Sequence, residues 1–176
     1  MISRGNLVNA ALFQVTWFAC VLGGAAGTSI WGVGALAALL AYSAATPHLK
    51  ADLLFAVSLG LIGLGVETLW IKAGVLEYGA AAIAPAWIIM LWMGVGLTVN
   101  HSLSIFSGRP WLGGSLAAVA APASYLGGER LGGVVVPDPW LLALIAGAWF
   151  VLFTLAFALA GGKLDLRGRQ AYERAH

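Results

Sequence analysis

Charged side chains are scarce in this chain of 176 residues. Asp, Glu, Lys and Arg make up 9% of it, against roughly 25% in soluble domains. Hydrophobic residues make up 61%, and the mean hydropathy is +0.92. This composition excludes an ordinary soluble domain. The nine Lys and Arg residues are scattered along the chain and the net charge is only +2, which excludes nucleic acid as a partner.

Cysteine is nearly absent as well. Cys20 is the single cysteine, so neither an intramolecular disulfide nor a cysteine-based metal cluster can form. We expect Cys20 to be a buried, unreactive thiol. No metal-ligand spacing, phosphate-binding loop or serine-nucleophile motif occurs, so we expect neither a metal nor a cofactor, and whether the chain catalyses a reaction stays open. Lys72 has no counter-ion one turn away, which argues against a retinal protein.

Long apolar runs are what the sequence does contain. Six of them are long enough to cross a hydrocarbon core of about 30 Å. The fold class predicted is therefore all-α, a polytopic transmembrane bundle of six helices. Five Trp residues fall near the ends of these runs, where amphipathic rings prefer the interface: Trp31, Trp70, Trp87, Trp111 and Trp140. The six segments are Leu7 to Gly24, Ile30 to Ala45, Leu53 to Ala73, Pro85 to Phe106, Leu112 to Gly132 and Pro139 to Ala160.

The positive charges fall mostly on one side of the membrane in this topology. Seven of the nine Lys and Arg residues share the side of the two termini, and only Lys72 and Arg130 lie opposite. The positive-inside rule then predicts that both termini are cytoplasmic. Residues 1–162 would form the six-helix domain and residues 163–176 a short basic cytoplasmic tail. We interpret the first run as a helix and not as a cleaved signal peptide, because it lacks a small-residue cleavage site.

Small residues at helical spacing predict which faces pack inside the bundle. In the third segment this face also carries an acidic residue, Glu67. In the fourth it carries His101. We expect these faces to form the interior of the bundle. The four predicted faces are Gly34, Ala38 and Tyr42; Ala56, Gly60, Gly63 and Glu67; Gly94, Thr98 and His101; and Ala143, Gly147, Thr154 and Ala158.

The polar groups separate into two layers by depth. A rise of about 1.5 Å per residue puts Glu67 near the outer surface and His101 near the cytoplasmic surface, more than roughly 10 Å apart, which excludes a direct acid–base pair between them. The outer layer supplies the candidate ligand-binding residues, and the inner layer forms a second polar cluster. The outer set is Glu67, Tyr125, Glu129 and Arg130. The inner set is Asn9, Gln14, Tyr42, Asn100 and His101.

Each layer allows two interpretations. Glu67 could form a structural ion pair with Arg130, since a buried carboxylate is costly unless paired. It could instead belong to a polar pocket, because ionisable groups inside a membrane are functional candidates. Asn100 and His101 are better explained by structural hydrogen bonds to Gln14 or Tyr42. A proline in the fifth segment, Pro122, predicts a kink beside Tyr125.

Six short stretches carry a resemblance: Leu12-Phe13-Gln14, Trp17 to Gly23, Ala84-Pro85-Ala86-Trp87, Leu91-Trp92, Asn100 to Leu103 and Pro122 to Gly127. Together they resemble a bacterial inner-membrane family of unknown function, domain of unknown function 2878. The resemblance extends over nearly the whole chain. This sequence departs from the family pattern at Glu67, where Asp is commoner. The resemblance implies a small inner-membrane protein with no established activity, and the family's proximity to lipid-modifying genes suggests a role in lipid handling.

Three functions are compatible with these features. The leading hypothesis is an inner-membrane protein that binds or helps process a lipid or another apolar molecule, with Glu67, Tyr125 and Arg130 at the polar end of the site. The second is a small transporter or proton-coupled permease that uses Glu67 and His101 as separate stations. The third is a scaffold for partner proteins that modify lipids. Membrane lipid is the expected partner, and a homo-oligomer is possible on any of these hypotheses.

Overall fold

A computed structural model describes residues 3–162, and their regular elements are all helical. Six α-helices are present, as the sequence predicted, and most of their ends lie within a few residues of the predicted ones. Two short 3-10 helices, Ser104–Phe106 and Pro139–Leu141, precede the last two α-helices. The tail predicted for residues 163–176 lies outside the described residues. The α-helices are α1 (Arg4–Ala25), α2 (Ile30–Ala44), α3 (Leu49–Lys72), α4 (Ala86–Gly96), α5 (Pro110–Arg130) and α6 (Leu142–Ala160).

Three helical stretches are long and apolar enough to cross a membrane. They are Arg4–Ala25, Leu49–Lys72 and Pro139–Ala160, and the helices Ile30–Ala44 and Ala86–Gly96 are apolar but shorter. Large apolar side chains point outward from these helices, as in Leu54 and Leu61, which are 68% and 66% exposed. Such a surface is stable when it faces lipid. The protein is therefore associated with a membrane.

The fourth segment differs from the prediction. It was expected to be helical from Pro85 to Phe106, but α4 ends at Gly96 and the chain continues through hydrogen-bonded turns. Polar side chains there compete with the helical hydrogen bonds. The Thr98 hydroxyl donates to the Val95 carbonyl at 2.6 Å, and the amide of Asn9, from α1, donates to the Leu97 carbonyl at 3.1 Å. Irregular backbone is tolerated in a membrane where protein groups satisfy it in this way.

The helices pack as two groups. α1 packs on α2 and α4, α3 packs on α4, and α5 packs on α6. The start of α1 lies beside the end of α2, where the Tyr42 hydroxyl donates to the Gly5 carbonyl, and the start of α3 lies beside it, where the Ser43 hydroxyl donates to Asp52. We call this end of the bundle the Asp52 end. The opposite end, where α3 finishes, is the Glu67 end.

Two connections cover the Glu67 end. The α3–α4 connection and the α5–α6 connection meet through a pair of backbone hydrogen bonds between Glu77 and Val135, of 3.0 and 2.8 Å. This isolated bridge holds buried side chains from both connections against the helices, among them Leu76 and Val134. Glu129 also holds this cover in place, because its Oε1 accepts the backbone N–H of Val136 at 2.9 Å.

The predicted packing face is correct in α3 and wrong in α2. The α3 face from Ala56 to Glu67 is buried throughout. Gly94, Thr98 and His101 are buried as predicted, but only Gly94 lies in α4, and the other two lie in the turns after it. In α2, however, Gly34 and Ala38 are exposed, and a methyl group added at Gly34 would meet no atom within 4 Å. The α6 face is mixed. Small size permits close packing but does not require it, so a small residue on an outer face gives the same sequence pattern.

Of the five tryptophans predicted at the membrane interface, three are exposed and two are not. Trp31, Trp111 and Trp140 are exposed at helix ends, with exposed fractions of 50%, 68% and 88%. Trp87 is buried in the core at the start of α4, and Trp70 is half-buried. The single cysteine, Cys20, is buried as expected. α5 continues as a helix through Pro122.

Candidate functional site

The carboxylate of Glu67 is fully buried and accepts hydrogen bonds from three side chains. The hydroxyl of Tyr78 donates to Oε2 at 2.7 Å, and the indole N–H of Trp92 donates to Oε1 at 2.8 Å. The hydroxyl of Tyr125 also donates to Oε1. A carboxylate removed from water needs such donors, because burial without them is costly. Glu67 therefore joins α3 to α4, to α5 and to the α3–α4 connection.

A glycine one turn before Glu67 makes this arrangement possible. A methyl group added at Gly63 would lie 2.3 Å from Cγ of Trp92, a distance that real atoms do not adopt. The indole ring of Trp92 thus lies directly on the backbone of α3. Because Gly63 and Glu67 are four residues apart, they share one face of the helix. The glycine gives the ring access to that face, and Glu67 fixes its nitrogen.

The predicted outer cluster is only partly assembled. The structure brings Glu67 and Tyr125 together, but Arg130 is exposed at the end of α5 and Glu129 binds the backbone of the α5–α6 connection. Within residues 3–162, no lysine or arginine lies within ion-pair distance of Glu67. The proposed ion pair between Glu67 and Arg130 is therefore wrong. Three neutral donors satisfy the carboxylate instead of one cation.

A second buried carboxylate, Asp52, lies at the opposite end of α3. Its Oδ1 accepts the Asn100 side-chain N–H at 2.9 Å, and its Oδ2 lies 2.7 Å from Nε2 of His101. The Ser43 hydroxyl donates to Oδ2 as well. Asp52 is completely buried and His101 is 4% exposed. Asp52 thus fixes one ring nitrogen of His101 and holds the turns after α4 against α2 and α3.

The members of the predicted inner cluster have different surroundings. Asn100 and His101 meet at Asp52, and the ring of Tyr42 packs edge-on against His101 with centroids 5.5 Å apart. Asn9 is buried and accepts hydrogen bonds from the backbone N–H and the hydroxyl of Ser102 at 3.3 and 2.7 Å. Gln14 is exposed on α1, so the prediction that it belongs to this cluster is wrong.

The two carboxylates form separate clusters. Fifteen residues separate Asp52 from Glu67 along α3, a distance of about 22 Å at 1.5 Å per residue. His101 binds only at the Asp52 end, which agrees with the prediction that it forms no acid–base pair with Glu67. The part of the chain that the structure describes contains no group of three or more His, Cys, Asp and Glu side chains placed to hold a metal ion.

An apolar cavity of about 350 Å³ lies between the two groups of helices. It is bounded by α1 and α4 on one side and by α5 and α6 on the other. Small-molecule pockets in proteins measure roughly 300–1,000 Å³ and are mostly apolar. One face of α5 runs along the whole cavity, from Gly113 to Gly128, a length of about 22 Å at 1.5 Å per residue. The cavity is therefore long and narrow.

Two of the side chains that donate hydrogen bonds to Glu67 line this cavity. Trp92 and Tyr125 both line the wall of the cavity, whereas Glu67 lies behind them. The rings of Trp149 and Phe153 in α6 stack with centroids 4.8 Å apart and form part of the opposite wall. The carboxylate thus positions two aromatic side chains of the cavity without being exposed in it.

Four residues of these sites escaped the sequence analysis. Asp52 was missed because the third segment was predicted to begin at Leu53, although an acidic residue in the first turn of a helix is itself a recognisable signal. Tyr78 and Trp92 were not assigned to Glu67. The polar atom of a buried tryptophan or tyrosine usually has a hydrogen-bond partner, which pointed to an acceptor for each of these two side chains. Ser43, whose hydroxyl donates to Asp52, was also missed, because nothing in the sequence around it indicates a buried polar contact.

The fold and the sites define a class of protein: a helical membrane-associated protein with two buried carboxylate clusters and an apolar cavity between its two groups of helices. The chain belongs to the family described as Protein of unknown function (DUF2878), whose model matches residues 6–155. This match confirms the resemblance found in the sequence. Comparison with curated proteins and with solved structures finds no match to the chain.

Proposed function

We propose that this chain is an integral protein of the bacterial inner membrane with its Asp52 end in the cytoplasm. Arg4, Lys50 and Arg109 are exposed at that end, whereas Lys72 and Arg130 are exposed at the other. Four further basic residues follow α6 in the sequence. Excess positive charge favours the cytoplasmic side. Residues 1–162 would then form the membrane domain and residues 163–176 the cytoplasmic tail.

Within that setting, the chain binds an apolar molecule, such as a lipid chain, in the cavity along α5. The observation that carries this proposal is the cavity itself, which is long, narrow and lined by aromatic and aliphatic side chains. An aqueous solute would gain nothing from such walls, because they offer few polar partners. A hydrocarbon chain fits them by shape and by dispersion contacts.

The role of Glu67 in this function is to position the wall. Trp92 and Tyr125 each have a polar atom that would be unsatisfied in an apolar cavity. Glu67 accepts both hydrogens from behind the wall. It therefore turns two amphipathic side chains so that their rings face the ligand. Among the predicted ligand-binding residues, Tyr125 would contact the ligand directly, and Glu67 would act through Tyr125 and Trp92.

Mass spectrometry of organic extracts tests the proposal. The protein is purified in mild detergent, and the molecules that co-purify are compared between the wild type and A117F, which places a ring inside the cavity. The matched control is V119F, because Val119 is on the same helix but is 71% exposed on its outer face. We expect one apolar species to be enriched in the wild type and in V119F and to be lost in A117F.

Two outcomes would contradict the proposal. If the wild-type extract has the composition of bulk membrane lipid, the cavity holds no particular molecule. If A117F retains the enriched species as fully as V119F does, the species is bound elsewhere on the surface. In either case the scaffold hypothesis, with lipid-modifying proteins as partners, becomes the better one.

The transporter hypothesis has less support. It requires polar groups that link the Glu67 and Asp52 clusters. Between them, the buried face of α3 carries only apolar and glycine residues within the described chain: Ala56, Leu59, Gly60 and Gly63. Met93 and Trp92 pack directly against two of these positions, Gly60 and Gly63. The path between the clusters is therefore filled with side chains.

A further inference from the structure

The cavity walls carry no charge. Twenty-two residues line the cavity in the described part of the chain, and none of them is Asp, Glu, Lys, Arg or His. The hydroxyls in this lining belong to Ser124 and Tyr125, and both already take part in hydrogen bonds with protein groups. A charged group placed here would lose its hydration and find no counter-ion. The walls therefore discriminate by charge as well as by shape.

Apolar side chains lie at both ends of the cavity. At the Asp52 end, Phe106 and Phe157 pack against Gly113, where an added methyl group would lie 2.8 and 2.3 Å from their atoms. At the Glu67 end, Val134 packs against Gly128 beneath the bridge between the two connections.

At the side of the cavity, α1 and α5 meet through one side-chain contact. The indole N–H of Trp17 donates to the hydroxyl of Ser124 at 2.8 Å, and both residues are half-buried and line the cavity. α1 packs chiefly on α2 and α4, and α5 on α6. Leu116 and Ala120, which line the cavity on α5, are exposed, so the cavity is partly open to the outer surface beside this contact. We call the boundary formed by Trp17 and Ser124 the side seam.

The side seam lies at the depth of the hydrocarbon. Trp17 is about 20 Å from the start of α1 and about 12 Å from its end at 1.5 Å per residue. The neighbouring side chains Phe18 and Leu126 are exposed and apolar. A molecule that crosses the side seam therefore comes from the membrane interior and not from the headgroup region.

From these observations we infer that the ligand is an uncharged apolar molecule dissolved in the bilayer, such as a long-chain alcohol, a hydrocarbon or an isoprenoid, and not a phospholipid or an ionised fatty acid. This inference rests on the proposed function and specifies the class of its ligand. A phospholipid that enters at the depth of Trp17 would have to draw its charged headgroup into the hydrocarbon, which is unfavourable. An uncharged molecule does not meet this obstacle.

Binding of two probes of equal chain length tests the inference. A long-chain alcohol and the alkyl sulfonate with the same chain are added to the full-length protein in mild detergent, and native mass spectrometry measures the bound fraction. The sulfonate is chosen because it stays charged at any accessible pH. A117F measures binding outside the cavity, and its signal is subtracted for each probe. We expect the affinity of the alcohol to be at least about tenfold higher than that of the sulfonate.

The outcomes separate this inference from the proposed function. Equal cavity binding of the two probes, or stronger binding of the sulfonate, overturns the inference on charge and leaves the proposed function intact. Binding of neither probe above the A117F level contradicts the proposed function, and the inference fails with it.

The route through the side seam has its own readout. S124A removes the acceptor of the Trp17 indole and should raise both the binding and the release rate of the alcohol several-fold. S124T keeps a hydroxyl at the seam and should restore rates close to those of the wild type. If S124A and the wild type exchange the probe at the same rates, the molecule enters by another route and this part of the inference is wrong.

Discussion

The indole nitrogen of Trp92 in α4 lies 2.8 Å from Oε1 of Glu67 in α3, and the indole ring of Trp92 packs on Gly63, one turn earlier in α3. This contact joins the backbone of one helix to a buried carboxyl group and to the wall of the cavity. It accounts for the presence of an acidic residue deep in an apolar protein. The carboxylate satisfies donors that would otherwise face hydrocarbon.

Replacement of Glu67 should destabilise the protein according to how many donors lose their acceptor. E67A leaves Tyr78, Trp92 and Tyr125 without one, and we expect a loss of about 2–4 kcal/mol in the free energy of unfolding. E67Q keeps one acceptor oxygen and should lose less. The free energy of unfolding in mild detergent measures both effects. E77Q is the control, because Glu77 is exposed. Equal stability of E67A and E77Q would contradict this role.

The packing of Trp92 on Gly63 predicts a position-specific effect of one methyl group. G63A should displace the indole ring and cost about 1–3 kcal/mol through overpacking. G65A is the matched control in the same helix, because nothing lies within 4 Å of a methyl group there. It should be neutral or stabilising by up to about 1 kcal/mol, since alanine favours the helix. Thermal unfolding of both variants checks the prediction, which fails if they unfold alike.

Asn9 should matter more than its neighbour on α1, Gln14. Asn9 satisfies the Leu97 carbonyl and the Ser102 backbone N–H in the turns after α4. N9A therefore leaves buried backbone groups unpaired, at about 1–3 kcal/mol. Q14A removes an exposed side chain and should change stability by less than about 0.5 kcal/mol. A Q14A variant as unstable as N9A would contradict this account and would support the prediction that Gln14 belongs to the inner polar cluster.

Asp52 and His101 should be energetically coupled. D52A leaves His101, Asn100 and Ser43 without their shared acceptor, so adding H101A to it should cost less than H101A alone. We expect a coupling energy of about 0.5–3 kcal/mol in a double-mutant cycle of unfolding free energies. The control cycle pairs H101A with K50A, which removes an exposed charge at the same end. That cycle should be additive within about 0.5 kcal/mol. Additivity in the Asp52 cycle would contradict the contact.

The helices were predictable because each is a long apolar run bounded by glycine, proline or polar residues. The end of α4 was not, since it depends on Asn9, which is 88 residues from Leu97 in the sequence. The α3 face was predicted correctly because its glycines, Gly60 and Gly63, pack against side chains of α4, as the rule for small residues assumes. The α2 face was not, because Gly34 is equally small but faces outward.

The partners of Glu67 could not be read from the sequence for a related reason. Tyr78, Trp92 and Tyr125 lie 11, 25 and 58 residues away. Depth along the helices was sufficient to separate Glu67 from His101. It was not sufficient to choose among several polar groups of similar depth, which depends on how the helices are rotated. Arg130 lies at a depth similar to that of Glu67, but its side chain is exposed at the end of α5 and does not contact Glu67.

Photolabelling with a diazirine-bearing alkane tests the central claim, an apolar cavity that takes up a hydrocarbon chain, most directly. Membranes that contain the full-length protein are labelled with and without excess unlabelled alkane, and the adducts are mapped by peptide mass spectrometry. We predict that adducts at Ala117 and Ala121, on the cavity face of α5, are abolished by the competitor, whereas adducts at Val119, on its exposed face, persist. Labelling confined to Val119 and its exposed neighbours, or equally competed at all three residues, would contradict the claim.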